Sequence, residues 1–462
     1  MSETLSRDLL DLSAGELAAA VAARKVSALE LTDQAIARIE TRDTAINAVV
    51  VRDFDRAREA AKSVDAAVAK GERRPLMGVP MTVKESQDVA GLPSTWGFEM
   101  FKDYVAPTDG VGAARLKAAG AVILGKTNVP PMLSDWQSAN PIYGRTVNPW
   151  DPTRSPGGSS GGAAAALAAG MIPLEFGSDI GGSIRVPAAF CGVYGHKPSY
   201  GLVPVRGHAP MGMTGVGVPL AVVGPLARTA GDLQLALDVL AGPDELEATG
   251  YRLDLPAPRH AKLADYRVLI LDTLPHVATD SEIRAALGDL ATRLEARGAT
   301  VARGSDRLPD LAQAHQTYMA ILDTALSRGR PGATPINAHE WMGLLDAQLL
   351  LQRQWASLFE AFDVVLAPTF GVVAYPHVEE TDPAKRVLMV DGEPTRYFDQ
   401  LAWPALALVA NLPATAFPSG FTKAGLPIGL QAVGPYLEDR TTIGFAGLLE
   451  REFGGFHAPP AL

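Results

Sequence analysis

The chain has 462 residues, a net charge of −10, 47% apolar and 20% charged residues, and one cysteine, Cys191. This balance excludes a disordered chain. The single cysteine excludes an intrachain disulfide, and the lack of Lys or Arg runs gives no surface for nucleic acid or anionic membrane. At roughly 150 residues per domain, the length allows about three domains or one outsized α/β domain.

Residues 1–12, MSETLSRDLLDL, lack the apolar run of an export signal. Ser13 with Glu16, and Ser27 with Glu30, have capping-box spacing ahead of helical sequence. Leu29, Ile36 and Ile39 keep one apolar face, and residues 53–70 read as a helix stopped by Gly71. The period then changes: Val79, Met81 and Val83 alternate as a strand does, leading to Lys84. A helix over 112–119 runs through Gly120 into a short apolar strand, 121–124, the local signature of α/β packing. Residues 155–162, SPGGSSGG, precede a small-residue helix at 163–169. A strand near 174–176 leads into SDIGGSIR, 178–185. Thr229 with Asp232 resembles a cap before a helix at 233–240. Residues 266–272, YRVLILD, read as a buried strand, 281–297 as a helix, and 308–361 as mostly helical. Segments 364–367, 406–410 and 428–432 are strand candidates, and 243–262 is the most loop-like stretch. The uncharged segments 157–174 and 207–227 are made of small residues or broken by Gly and Pro, so neither reads as a membrane span. The expected protein is soluble and cytoplasmic.

Two familiar motifs fail on context. GAVILGKT, 120–127, fits the P-loop letter for letter, but its four variable residues are strand sequence rather than a phosphate-cradling turn. G-x-S-x-G occurs twice in overlap, at Ser159 and Ser160, but a nucleophile elbow needs a preceding strand. Here NPWDPTRSP, with three prolines, precedes it. The eight histidines leave a Ser-His-Asp hydrolase as an alternative. No H-E-x-x-H or Cys/His cluster points to a metal.

Two glycine-flanked serines, Ser159 and Ser183, lie 24 residues apart. Asp179-Ile180-Gly181-Gly182-Ser183 can form a turn whose N–H groups converge, as an oxyanion hole requires. A serine there still needs a base. Lys84, at the carboxyl end of a predicted strand, is the candidate, and burial would lower its pKa.

Five segments resemble the amidase signature family: GVPMTVKE (78–85), GKTNVP (125–130), SPGGSSGG (155–162), GSDIGGSIRVPAAFCGVYGHKPSYG (177–201) and GLPIGLQAVGP (425–435). The resemblance runs from about residue 10 to about 450. It implies a Ser–cis-Ser–Lys triad: Ser183 as nucleophile, Ser159 as bridge after a cis peptide bond, and Lys84 as base. The backbone N–H groups of Ile180, Gly181, Gly182 and Ser183 would form the oxyanion hole. No metal or organic cofactor is implied. The implied fold is α/β, a large mixed sheet with helices on both faces, forming one domain over 1–462. Within it stand a helical region (about 10–70), a catalytic core (about 75–240), a more variable helical cap (about 243–390) and a return to the core (about 395–455).

Ser160 and Ser178 are candidates to orient the triad or to be turn structure only. Asp179 and Arg185 are candidates to pair and brace the turn. Cys191 reads as a buried small hydrophobe. His196 and Ser199 depart from the family pattern, and a histidine in a short strand reads as structure. Met132, Leu133, Trp136 and the 211–218 stretch are candidates for an apolar acyl pocket, with plain core as the competing reading. The expected activity is hydrolysis of a small-molecule amide, with esters and carbamates (a urethanase) also open. The alternative is the glutaminase (A) subunit of a tRNA-dependent amidotransferase. Against it stand Ile180, where that subunit typically has threonine, and the lack of a basic face. No nucleic-acid partner is expected, and the oligomeric state is open, a homodimer included.

Overall fold

The computed structural model describes residues 9–211, 217–328, 330 and 332–460. Residues 1–8 of the N-terminal segment, and 212–216 of the 211–218 pocket candidate, lie outside the described residues. A mixed sheet of eleven strands runs through the molecule. From one edge to the other they are Val49–Arg52, Val122–Thr127, Pro80–Lys84, Leu174–Asp179, Val222–Ala227, Tyr194–Lys197, Ala414–Phe421, Pro427–Val433, Val364–Pro368, Arg267–Ile270 and Thr300–Ala302. The second to fourth of these are mutually parallel, as are the last three. The remaining pairs are antiparallel.

Alternate side chains of one strand feed different cores. Val268, Ile270, Val364 and Leu366 pack with Leu287 and Leu290 of the Ser281–Ala296 helix. Leu269, Val365 and Ala367 pack with Trp355 and Leu358 of the Ala338–Ala361 helix. Near the other edge, Ile123 packs with Leu116, while Val122 and Leu124 face the Ala28–Ile46 and Gly161–Ala168 helices. Both sheet faces are therefore covered by helices, as a buried mixed sheet requires.

Local signals in the sequence account for many of the helix ends. Both N-terminal capping boxes form. Thr229 accepts from Asp232 N, and the Asp232 carboxylate in turn accepts from Ala14 N and Gly15 N, tying the first helix to the Ala230–Leu240 helix. The 120–127 segment is not a phosphate loop: Val122–Thr127 is a strand buried at every position. One expected strand is corrected. Residues 406–408 end the Ala402–Leu408 helix, 409–410 continue into a turn, and the strand starts at Ala414. Every residue of that helix is buried, so no polar position marks its period, and a short apolar run fits helix and strand alike. Pro404 stands in its first turn, where a missing N–H is tolerated. Among the described residues no helix is long and apolar enough to cross a membrane.

The parallel strands Pro80–Lys84 and Leu174–Asp179 are neighbours, with Met81 opposite Leu174 and Val83 opposite Phe176. Their carboxyl ends, Lys84 and Asp179, therefore emerge side by side. That is where ligands sit in α/β sheets.

Candidate active site

Lys84 Nζ lies 2.6 Å from Ser159 Oγ and 2.9 Å from Ser178 Oγ. The lysine is fully buried. Burial lowers its pKa to about 7, against the attraction of Asp179 and Glu175. Ser159 follows a cis peptide bond from Gly158 and leads into the Gly161–Ala168 helix. A Cβ on Gly158 would lie 2.4 Å from the Asp135 carbonyl oxygen, so only glycine fits this approach. Ser160 N donates to Ser183 O at 3.1 Å, which joins the two Gly/Ser segments. Of the two supporting serines, Ser178 bonds the lysine directly. Ser160 Oγ makes two long contacts with the backbone of Ser178, donating to its O at 3.4 Å and accepting from its N at 3.5 Å.

Ser183 sits on the turn between Asp179 and the Arg185–Cys191 helix. The buried Asp179 carboxylate organises this turn. It accepts from Gly182 N (2.9 Å) and Ile184 N (3.2 Å), and from Arg185 Nε (3.0 Å) and Nη2 (3.1 Å). Burial alone would raise the Asp179 carboxyl, but the Arg185 guanidinium holds it below the usual carboxylate range. Arg185 also donates to Gln431 Oε1 and Pro404 O. Of the four N–H groups expected in an oxyanion hole, that of Gly182 is taken by Asp179. At Gly182 φ is +92°, and a Cβ would meet Pro404 and Val186 at 2.7 Å. We expect Arg185→Met to cost about 3–5 kcal/mol in urea unfolding, because Asp179 would stay buried without its counter-ion. A loss under about 1 kcal/mol would remove the brace assigned to the pair.

A family model described as Amidase matches residues 30–331 and 330–443. The chain belongs to the amidase family. It is thus an amidase-family hydrolase acting on carbon–nitrogen bonds. It is 34% identical to the A subunit of the glutamyl-tRNA(Gln) amidotransferase of Anaeromyxobacter dehalogenans (strain 2CP-C), over 99% of each chain. Among solved structures it resembles a chain from the vestigial protein complex tied to the evolutionary origins of an s-triazine catabolic enzyme. That match has 28% identity and a TM-score of 0.84, over 97% of this chain and 100% of that one. It also resembles a bacterial aryl acylamidase (26%, TM-score 0.81, 96% of each chain).

The three residues expected to line an apolar pocket differ in their surroundings. Trp136 is buried, and its Nε1 donates to Gly181 O at 2.9 Å, fixing the indole against the turn that carries Ser183. It packs edge-on to Phe370 and against Tyr397. Met132 and Leu133 stand on the Pro131–Leu133 turn with φ of 52° and 58°; Met132 is 38% exposed, so it is not core.

Several buried polar groups near Lys84 escaped sequence reading. Glu175 accepts from Thr127 (3.0 Å) and from Thr82, and burial raises its carboxyl to about 8. Its signal was an acid inside an apolar strand. Glu85, beside the lysine, and the Trp96–His208 ring pair were also missed. The other reactive types are structural. His196 bonds Thr415 and Asp439. Cys191 is buried, and burial pushes its thiol up. Among the described residues no cluster of His, Cys, Asp and Glu could hold a metal ion.

Proposed function

We propose that this chain releases ammonia from the carboxamide of glutamine through a Ser183 acyl-enzyme, in the role that the glutaminase component plays in a tRNA-dependent amidotransferase. The chemical half of this reading is carried by the contact of Lys84 Nζ with Ser159 Oγ, made by a lysine whose burial favours the neutral amine. Neutral Lys84 takes the Ser159 proton as Ser159 takes that of Ser183. Ser183 Oγ bonds to the carbonyl carbon, and the C=O π pair moves to oxygen. The oxyanion faces the N–H groups of Ile180, Gly181 and Ser183, dipoles fixed before charge develops. Collapse re-forms C=O and expels the nitrogen, which takes a proton from Ser159, itself reprotonated by Lys84. Water then attacks the ester by the same relay.

The glutamine half rests on the curated relatives, which are glutamyl-tRNA(Gln) amidotransferase components at up to 34% identity over nearly the whole chain. They support that reading better than a generic amidase, despite Ile180. A second reading, a stand-alone hydrolase of apolar amides, has one observation in its favour. Ile180 packs into an apolar cluster with Trp136, Tyr318, Phe370 and Leu401 around the nucleophile turn. Ammonia release from L-glutamine should be measured alone and with the partner components of an amidotransferase, beside acyl p-nitroanilides, an ester and a carbamate. We expect glutamine turnover that increases with the partners. Anilide hydrolysis without any glutamine turnover would transfer the assignment to the second reading.

A further inference from the structure

Three consecutive residues leave the end of the Pro80–Lys84 strand with separate tasks. Lys84 bonds Ser159. The Glu85 carboxylate, wholly buried, accepts from Thr95 N (2.6 Å) and Trp96 N (2.9 Å). Ser86 Oγ lies 3.1 Å from His208 Nε2. The Trp96 and His208 rings lie against each other, centroids 4.8 Å apart. One short segment thus holds the base and both members of an aromatic pair at fixed offsets.

The pair is rigid. Trp96 is held in the left-handed region, φ 55°, by Glu85 at its N–H and by Met132 N at its carbonyl (2.8 Å). Such residues persist where the surroundings over-determine them, and they gather at functional sites. Trp96 is 7% exposed, and among the described residues its buried Nε1–H has no hydrogen-bond partner. An unmet buried donor is a group that a ligand atom can satisfy. His208 is half-buried and held by Ser86, two residues past Lys84. Burial, then Lys84, lowers its pKa to about 3, so it is neutral. In the neutral tautomer whose Nε2–H donates to Ser86 Oγ, Nδ1 is left as an acceptor, which suits a carboxamide N–H; a cation would keep none.

The direction of the leaving group follows from the proposed relay, on which this inference rests. The departing nitrogen takes its proton from Ser159, which draws on Lys84. It therefore lies on the Ser159–Lys84 side, away from the oxyanion amides and from Trp136, which is bonded to Gly181. We infer that Trp96 and His208 form the closing wall of the leaving-nitrogen side, selecting primary carboxamides over N-substituted amides, with Glu85 as its positioning residue. A substituent on the nitrogen would have to displace an indole pinned at both backbone ends.

The test uses two substrate pairs, each sharing one acyl group: L-glutamine with γ-L-glutamyl-p-nitroanilide, and hexanamide with hexanoyl-p-nitroanilide. Each pair forms the same acyl-enzyme, so the ratio of kcat/KM reports the amine side alone. We expect Trp96→Ala and His208→Ala each to raise the anilide-to-carboxamide ratio at least tenfold, and Trp96→Phe to restore most of the wild-type ratio. Ratios within twofold of wild type in both alanine variants would overturn the inference while leaving the serine hydrolase intact. If wild type turns over neither pair, with the partner components present, the proposed glutamine function fails. The wall is then judged by calorimetric binding of the same pairs to Ser183→Ala protein. A carboxamide preference that Trp96→Ala erases sustains it, and equal affinities overturn it. If thermal unfolding shows that Trp96→Ala does not fold, His208→Ala and Trp96→Phe decide by the same ratios.

Discussion

Ser183→Ala is expected to lower kcat/KM by about 10⁴-fold or more, because alanine offers no oxygen for the acyl-enzyme. What remains is catalysis by the oxyanion amides and by binding, which do not need the hydroxyl. The fold should not follow the activity down. The turn that carries Ser183 is held by the Asp179 carboxylate through Gly182 N, Ile184 N and Arg185, none of which uses the Ser183 side chain. The main-chain bond from Ser160 N to Ser183 O also survives the substitution. The measurement is kcat/KM on whichever substrate wild type turns over best, with intact-protein mass after mixing with a slowly deacylating ester. Wild type should gain the acyl mass and Ser183→Ala should not. Activity within tenfold of wild type, or an acyl adduct on the variant, would remove Ser183 as the nucleophile and bring Ser159 and Ser160 back as candidates.

The sequence marks this site unevenly, for physical reasons. A Gly/Ser-rich segment is costly in backbone entropy and is kept where close approach or unusual dihedrals demand it. Ser159 and Ser183 were therefore visible, with Lys84 visible at the end of an alternating strand. The pairing of Asp179 with Arg185 was readable from nearness in the chain. The direction of one amide was not: that Gly182 N–H turns back to Asp179 depends on backbone dihedrals that composition leaves free. Thr82, Thr127 and Glu175 meet across three adjacent strands. Reading that cluster needs strand order and register, which no local pattern encodes. Trp96 and His208 come from separate loops and are bonded to Glu85 and Ser86, which follow the lysine. The 406–410 segment misled because full burial removes the polar residues that reveal period.

Lys84→Met is the second large effect, and it should move activity and stability in opposite directions. Activity should fall by about 10²–10⁴-fold, the range for a positioned general base. In wild type, kcat/KM should rise with pH through about 7 and then level off, since only the neutral amine can take the Ser159 proton. Lys197 is also lowered to about 7 and Lys126 to about 8. However, Lys197 Nζ is spent on the carbonyls of Pro198 and Leu412, and Lys126 Nζ on Pro93 O and Ser94 Oγ. Neither bonds Ser159, so loss of the limb in Lys84→Met assigns it. Stability follows from the same shift. The folded pKa is near 7 and the unfolded one near 10.4. Between these values the unfolded chain holds one more proton than the folded chain, so wild-type stability rises with pH across that window. Below about 7 both states are protonated, and the full cost of the buried cation is present. Methionine carries no such cost. The unfolding free energy of Lys84→Met should therefore gain most on wild type at or below pH 7, and the gain should shrink toward pH 10 by up to about 1.4 kcal/mol per pH unit. The lost bonds to Ser159 and Ser178 offset part of the gain by a constant amount and leave the slope unchanged. Parallel stability curves for the two proteins would mean that Lys84 is charged in the folded state, and the relay would lose its base. A shallower slope in the variant, with activity gone, would mean that the fold keeps this lysine buried at a cost in stability because a neutral amine is needed beside Ser159.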